Sequence, residues 1–76
     1  MTQRERAMAL GAAIRAAREA AGLTQEEVAS RVDLHAMTYG GIERGRLLPS
    51  VSTLTRICVL LKLDPDTLPD LQDVRD

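Results

Sequence analysis

The sequence predicts an all-α domain of five short helices, the second and third forming a helix-turn-helix. Three observations point there. Apolar residues recur at spacings of three and four rather than two. Runs of β-branched residues, which strands favour, are absent. Each apolar segment is bounded by a helix start or stop signal. The 76 residues fill one small domain, expected to span residues 1–76.

Leu10, Ile14, Ala17 and Ala21 share one face of a first helix over residues 2–21, and Gly22 is its stop signal. Thr24 and Glu27 stand at the two positions of a capping box that starts the second helix. Leu23 and Val28 occupy the positions of a hydrophobic staple, and Glu26 and Glu27 suit the positive end of the helix dipole. This helix reaches about residue 32, with Val28, Ala29 and Val32 inward. After Asp33 and Leu34 a third helix starts near His35 or Ala36 and reaches Arg44, burying Tyr39 and Ile42 and stopping at Gly45. Ser50 caps a fourth helix over residues 51–62, whose inward set is Val51, Leu54, Ile57, Cys58 and Leu61. Asp64 followed by Pro65 is a cap with proline at the first helical position, opening a fifth helix over residues 66–71. Residues 72–76 are expected to fray as an acidic tail.

Composition removes several function classes. The longest apolar run, residues 57–61, falls far short of the roughly 18 residues a membrane span needs. Residues 1–6 carry charge with no apolar stretch behind them, so no secretory signal is expected and a cytoplasmic location is. One cysteine, Cys58, allows no internal disulfide. With one histidine, His35, it cannot complete a structural zinc site, so no metal or cofactor is expected. Neither Cys58 nor Tyr39 has a base at suggestive spacing, and no glycine loop or carboxylate pair stands out, which argues against an enzyme. The net charge of −1 conceals an asymmetry: residues 1–62 hold nine basic and six acidic side chains, residues 63–76 one and five. A basic body with an acidic tail is compatible with a polyanionic partner, and equally with a tail that only aids solubility.

Residues 14–34 include Arg18 and then Gly22-Leu23-Thr24-Gln25-Glu26-Glu27; residues 42–46 read Ile-Glu-Arg-Gly-Arg, and Pro49-Ser50 follow. In combination these resemble the lambda-repressor-like (Cro/Xre) helix-turn-helix family, over about residues 10–68. The resemblance implies the compact five-helix lambda-repressor-like fold and a double-stranded DNA partner. It places Thr24 and Gln25 against a DNA phosphate at the start of the second helix, where exposed N–H groups favour an anion. A plain capping box would use the same Thr24 without DNA. Arg18 and Glu43 match a structural salt bridge between the first and third helices. Arg44 and Arg46 match positions that contact backbone phosphates, which a guanidinium fork grips well.

The third helix is then the recognition helix, and here the sequence departs from the family pattern. Its outward face by spacing is Ala36, Met37, Gly40, Gly41 and Arg44, where the family more often has amide, hydroxyl or basic side chains. Ala36, Met37 and the Thr38 methyl suit contact with thymine methyl groups. Gly40 and Gly41 are expected to let the backbone approach the groove closely, at a helix cost of about 1 kcal/mol each relative to alanine. His35 stands where the family prefers a better cap, and its ring suits donation to phosphate. Asp33 replaces a common turn glycine and tolerates a left-handed backbone.

The fourth helix carries an apolar excess. Val59, Leu60, Leu63, Leu68 and Leu71 are expected to form a homodimer interface, with the alternative that some of them complete the core. A two-fold dimer sets two recognition helices about 34 Å apart, matched to a palindromic operator. The expected function is a homodimeric, sequence-specific, nucleoid-associated transcriptional regulator, a repressor or an activator. Short members of the family include phage repressors, controllers of restriction–modification systems and antitoxins. The alternative is a protein-interaction module, antitoxin-like or binding a polymerase or enzyme, whose third helix no longer reads DNA.

Overall fold

The computed structural model describes residues 2–68. Four α-helices follow one another: α1 (Gln3–Ala20), α2 (Gln25–Arg31), α3 (Ala36–Glu43) and α4 (Val51–Leu61). Among the described residues a 3-10 turn, Pro65–Thr67, comes last. No strand occurs among the described residues.

Local chemistry explains the boundaries. Thr24 and Glu27 close a reciprocal capping box at the start of α2, and Thr2 and Glu5 close another at the start of α1. The Ser50 hydroxyl accepts from the Thr53 N–H at the start of α4. Asp33 sits in the left-handed region at φ 66°, and the Leu34 N–H returns to the Ala29 carbonyl at 2.8 Å. That closes α2 and makes the turn before α3. His35 caps α3 by backbone position only, with no side-chain hydrogen bond.

The expected fifth helix is corrected by the structure. Asp64 does cap with Pro65 behind it, but the element that follows is one 3-10 turn ending at Thr67. Leu68 returns to extended backbone and ends the turn, and residues 69–71 of the expected helix lie outside the described residues. Residues 72–76 lie outside them as well.

The core joins all four helices: Leu10 and Ile14 from α1, Val28, Ala29 and Val32 around α2, Tyr39 and Ile42 from α3, Ile57 and Leu61 from α4. Two expected inward residues point elsewhere. Ala21, the C-cap of α1, is exposed, and Ala7 at the other end is buried instead. Val51 is 66% exposed, because in the first turn of α4 it is Thr53 that is buried, held by the Ser50 hydroxyl. α1 packs chiefly on α3, and so does α2, which makes α3 the central element. Gly11 permits the first of these contacts: a Cβ there would run into the Ile42 and Glu43 carbonyl groups. No described helix is long and apolar enough to cross a membrane.

Candidate nucleic-acid interface

Three helix ends meet at one carboxylate. Arg18, near the end of α1, donates from Nε to Glu43 Oε2 at 2.6 Å and from Nη2 to Oε1 at 3.1 Å. Gln25, the first residue of α2, donates from Nε2 to Oε1 at 2.9 Å. Tyr39, one turn earlier on α3, donates its hydroxyl proton to Oε2. Arg18 also donates to the Leu23 carbonyl, in the chain between α1 and α2, at 2.8 Å. The Glu43 side chain is 1% exposed. Burial pushes its carboxyl up, but the hydrogen bonds from Arg18, Tyr39 and Gln25 outweigh that and hold it below its ordinary value. Burial raises the Tyr39 hydroxyl, and the adjacent carboxylate raises it further, so it stays a donor. The bond to Glu43 raises Arg18 in turn.

This network orients the start of α2. One amide hydrogen of Gln25 is committed to Glu43, which positions the side chain at the rim of the network. Thr24 is exposed, its hydroxyl accepting from the Glu27 N–H at 3.1 Å. The Glu27 carboxylate accepts the Thr24 N–H at 2.8 Å and is held below its ordinary value by that bond. His35, Arg44 and Arg46 are all exposed. Among the described residues, no acid pairs with Arg44 or Arg46.

The recognition face is narrower than the spacing suggests. Ala36, Met37 and Thr38 are exposed, with Met37 83% accessible. Gly40 and Gly41 are buried, which corrects their placement on the outward face. A Cβ on Gly40 would stand 2.9 Å from Arg44 Nη1 and 3.4 Å from Gln25 Oε1. One on Gly41 would stand 3.0 Å from Leu47 Cδ1. The glycines are thus covered by neighbouring side chains rather than open to a groove. Gly40 provides the shelf on which the Arg44 guanidinium lies, beside Gln25. Arg44 stands four residues on from Gly40, so helix spacing accounts for its cover, whereas Gln25 from α2 and Leu47 from the loop after α3 lie beyond what single-helix periodicity anticipates.

The expected dimer face divides similarly. Val59 is 75% exposed, whereas Leu60, Leu63 and Leu68 are partly buried against the core. Leu71 lies outside the described residues. Around Val59 an apolar groove of about 290 Å³ runs along α4, lined by Val51, Leu54, Cys58, Leu63 and Pro65. Cys58 is buried in the packing of α4, and that burial pushes its thiol up. Among the described residues, no group of three or more His, Cys, Asp or Glu side chains is placed to hold a metal ion.

Comparison with known proteins agrees with this arrangement of helices. Residues 9–71 match the helix-turn-helix domain family. The chain is similar to the ImmF control region 10 kDa protein of Bacillus phage phi105, at 41% identity over 59 residues. That alignment covers 78% of this chain and 66% of the phage protein, just under two thirds of its length. No solved structure matches.

Proposed function

This chain belongs to the helix-turn-helix domain family, and on that premise we propose that it is a DNA-binding transcriptional regulator. It works as a homodimer on a palindromic operator, in the cytoplasm at the nucleoid, and carries no catalytic centre. The observation that carries this reading is an exposed basic group beside the start of α2. The Arg44 guanidinium lies next to Gln25, Arg46 follows two residues on, no described acid pairs with either arginine, and Ala36, Met37 and Thr38 stand exposed in the first turn of the same helix α3. Thr24, Gln25, His35, Arg44 and Arg46 meet backbone phosphates, and Ala36, Met37 and Thr38 meet base edges. The similarity to a phage control-region protein supports the regulatory half of the proposal.

With so few polar groups on the readout face, specificity rests on apolar contact with thymine methyl groups and on how the arginines fix register. Selection of sites from randomised duplex DNA tests this. The expected result is an enriched inverted repeat with A·T-rich half-sites one helical turn apart. Arg44→Ala with Arg46→Ala should weaken binding to every duplex and reduce the slope of log K against log salt by roughly 1.8, for two phosphates lost. Weak, salt-sensitive retention with no enriched site would overturn specific regulation in favour of a protein-interaction module. Unchanged binding by the double variant would remove both arginines from the phosphate contacts.

A further inference from the structure

A second basic feature adjoins this surface and involves a side chain that neither the sequence motifs nor the family resemblance singles out. Between the first turns of α1 and the loop after α3 lies an open cleft of about 640 Å³. Arg4, Arg44 and Arg46 all line it, with Gln3 beside them, and among the described residues its lining contains no acid. Arg4 is exposed and pairs with no acid among the described residues.

The backbone explains how these cations are gathered. Gly45 adopts φ 77°, and a Cβ there would lie 2.7 Å from the Met8 Cα. The loop is thereby pressed directly onto α1. Met8 lies one turn after Arg4, so the loop arginines on either side of Gly45 are brought beside Arg4. The Thr2–Glu5 capping box fixes the turn that carries Arg4, with bonds of 2.8 and 3.1 Å. The cleft is continuous with the recognition surface through Arg44, whose guanidinium rests on Gly40 beside Gln25.

We propose that this cleft is a further phosphate-binding site, in which Arg4 grips the DNA backbone beyond the contacts of Arg44 and Arg46. The inference rests on the DNA-binding reading above. Like-charged groups gathered in one cleft repel one another, no described acid offsets the charge of these three arginines, and an incoming phosphate relieves that repulsion. A polyanion laid along α3 and over Arg44 continues into the cleft, so Arg4 lengthens the footprint on the backbone without reading sequence.

The test is a titration of a duplex carrying the selected site, about 30 base pairs long, at several salt concentrations. The proteins are the wild type, Arg4→Ala, Arg4→Lys and Arg15→Ala. Arg15 is an exposed cation on the same helix, paired with Glu19 at 3.5 Å and outside the cleft lining, and so controls for loss of charge alone. Arg4→Ala should bind about three- to tenfold more weakly near 100 mM salt, with the salt slope reduced by roughly 0.9. Arg4→Lys should keep the slope, and Arg15→Ala should bind as the wild type does. Circular dichroism of Arg4→Ala should show unchanged helix content, since Thr2 and Glu5 make the cap. Wild-type binding with Arg4→Ala unchanged, or weakened no more than Arg15→Ala, would overturn the cleft assignment alone. No DNA binding by the wild type would overturn the DNA-binding reading and the cleft with it.

Discussion

Glu43 receives hydrogen bonds from three side chains on three helices, so its loss is felt at every one of them. Glu43→Gln leaves the Arg18 guanidinium beside a neutral amide. The expected loss is about 3 kcal/mol, because removing one partner of a buried pair strands the other charge. Denaturant unfolding at neutral pH measures it. The carboxyl titrates lower in the folded chain than its ordinary 4.5, so as pH falls the unfolded chain takes up the proton first. Stability from this group is complete above about pH 4.5 and is lost as pH falls through the lower folded value. Glu5 and Glu27, held low by their capping boxes, act in the same direction. Glu43→Gln should therefore flatten the acid limb of the stability profile. Acid limbs of identical steepness would remove Glu43 from it. At this scale the sequence was informative wherever the cause is local or the motif specific. Asp33 in the left-handed region and the Arg18–Glu43 pair are both readable from it. The Tyr39–Glu43 bond has a local signal too, a spacing of four on one helix face, but packing decided that this face is buried around the carboxylate.

Among the helices, caps were legible and burial was only partly so. The boundaries of α2, α3 and α4 fall within a residue or so of the expected ones: α2 and α4 start at side-chain caps that act within a single turn, and α3 lies between the turn at Asp33 and the left-handed Gly45. The Thr2–Glu5 box has the same Thr-x-x-Glu spacing as the box that opens α2, and the sequence carries that signal equally clearly. Burial depends on neighbours from elsewhere in the chain. Gly11 illustrates this: inside a helix it costs about 1 kcal/mol relative to alanine, and nothing in the pattern of α1 asks for it. Its reason is the close approach of the end of α3. Gly11→Ala therefore sets a propensity gain against a clash with backbone that has no flexible end to move aside. The clash should win, with a net loss of about 1–3 kcal/mol in urea unfolding. A variant as stable as the wild type would show that α1 and α3 can separate without cost. The same dependence on neighbours explains Gly40 and Gly41. Spacing puts them outward, and the Arg44 and Leu47 side chains cover them.

For the whole molecule, the apolar surface of α4 is the feature that asks for a partner. Val51 and Val59 are 66% and 75% exposed and flank an apolar groove, while Leu60, Leu63 and Leu68 already serve the core. Exposed apolar surface of this kind is more common at interfaces than on isolated monomers. The homodimer proposal therefore centres on Val51 and Val59, with the partly buried leucines behind them. Sedimentation across a dilution series should show a dimer that dissociates on dilution, and Val59→Asp should shift the equilibrium toward monomer with helix content unchanged. A wild-type monomer at high micromolar concentration would end the proposal. An all-helical chain with a helix-turn-helix was evident from order and spacing, because helix starts, stops and periodicity are properties of neighbouring residues. Which glycines are covered by a neighbour, which leucines face the core and which arginines share a cleft emerged only once the helices were packed. Apart from the cover that Arg44 and Leu47 give the nearby glycines, those outcomes depend on contacts between helices, groups far apart along the chain whose approach no local pattern encodes.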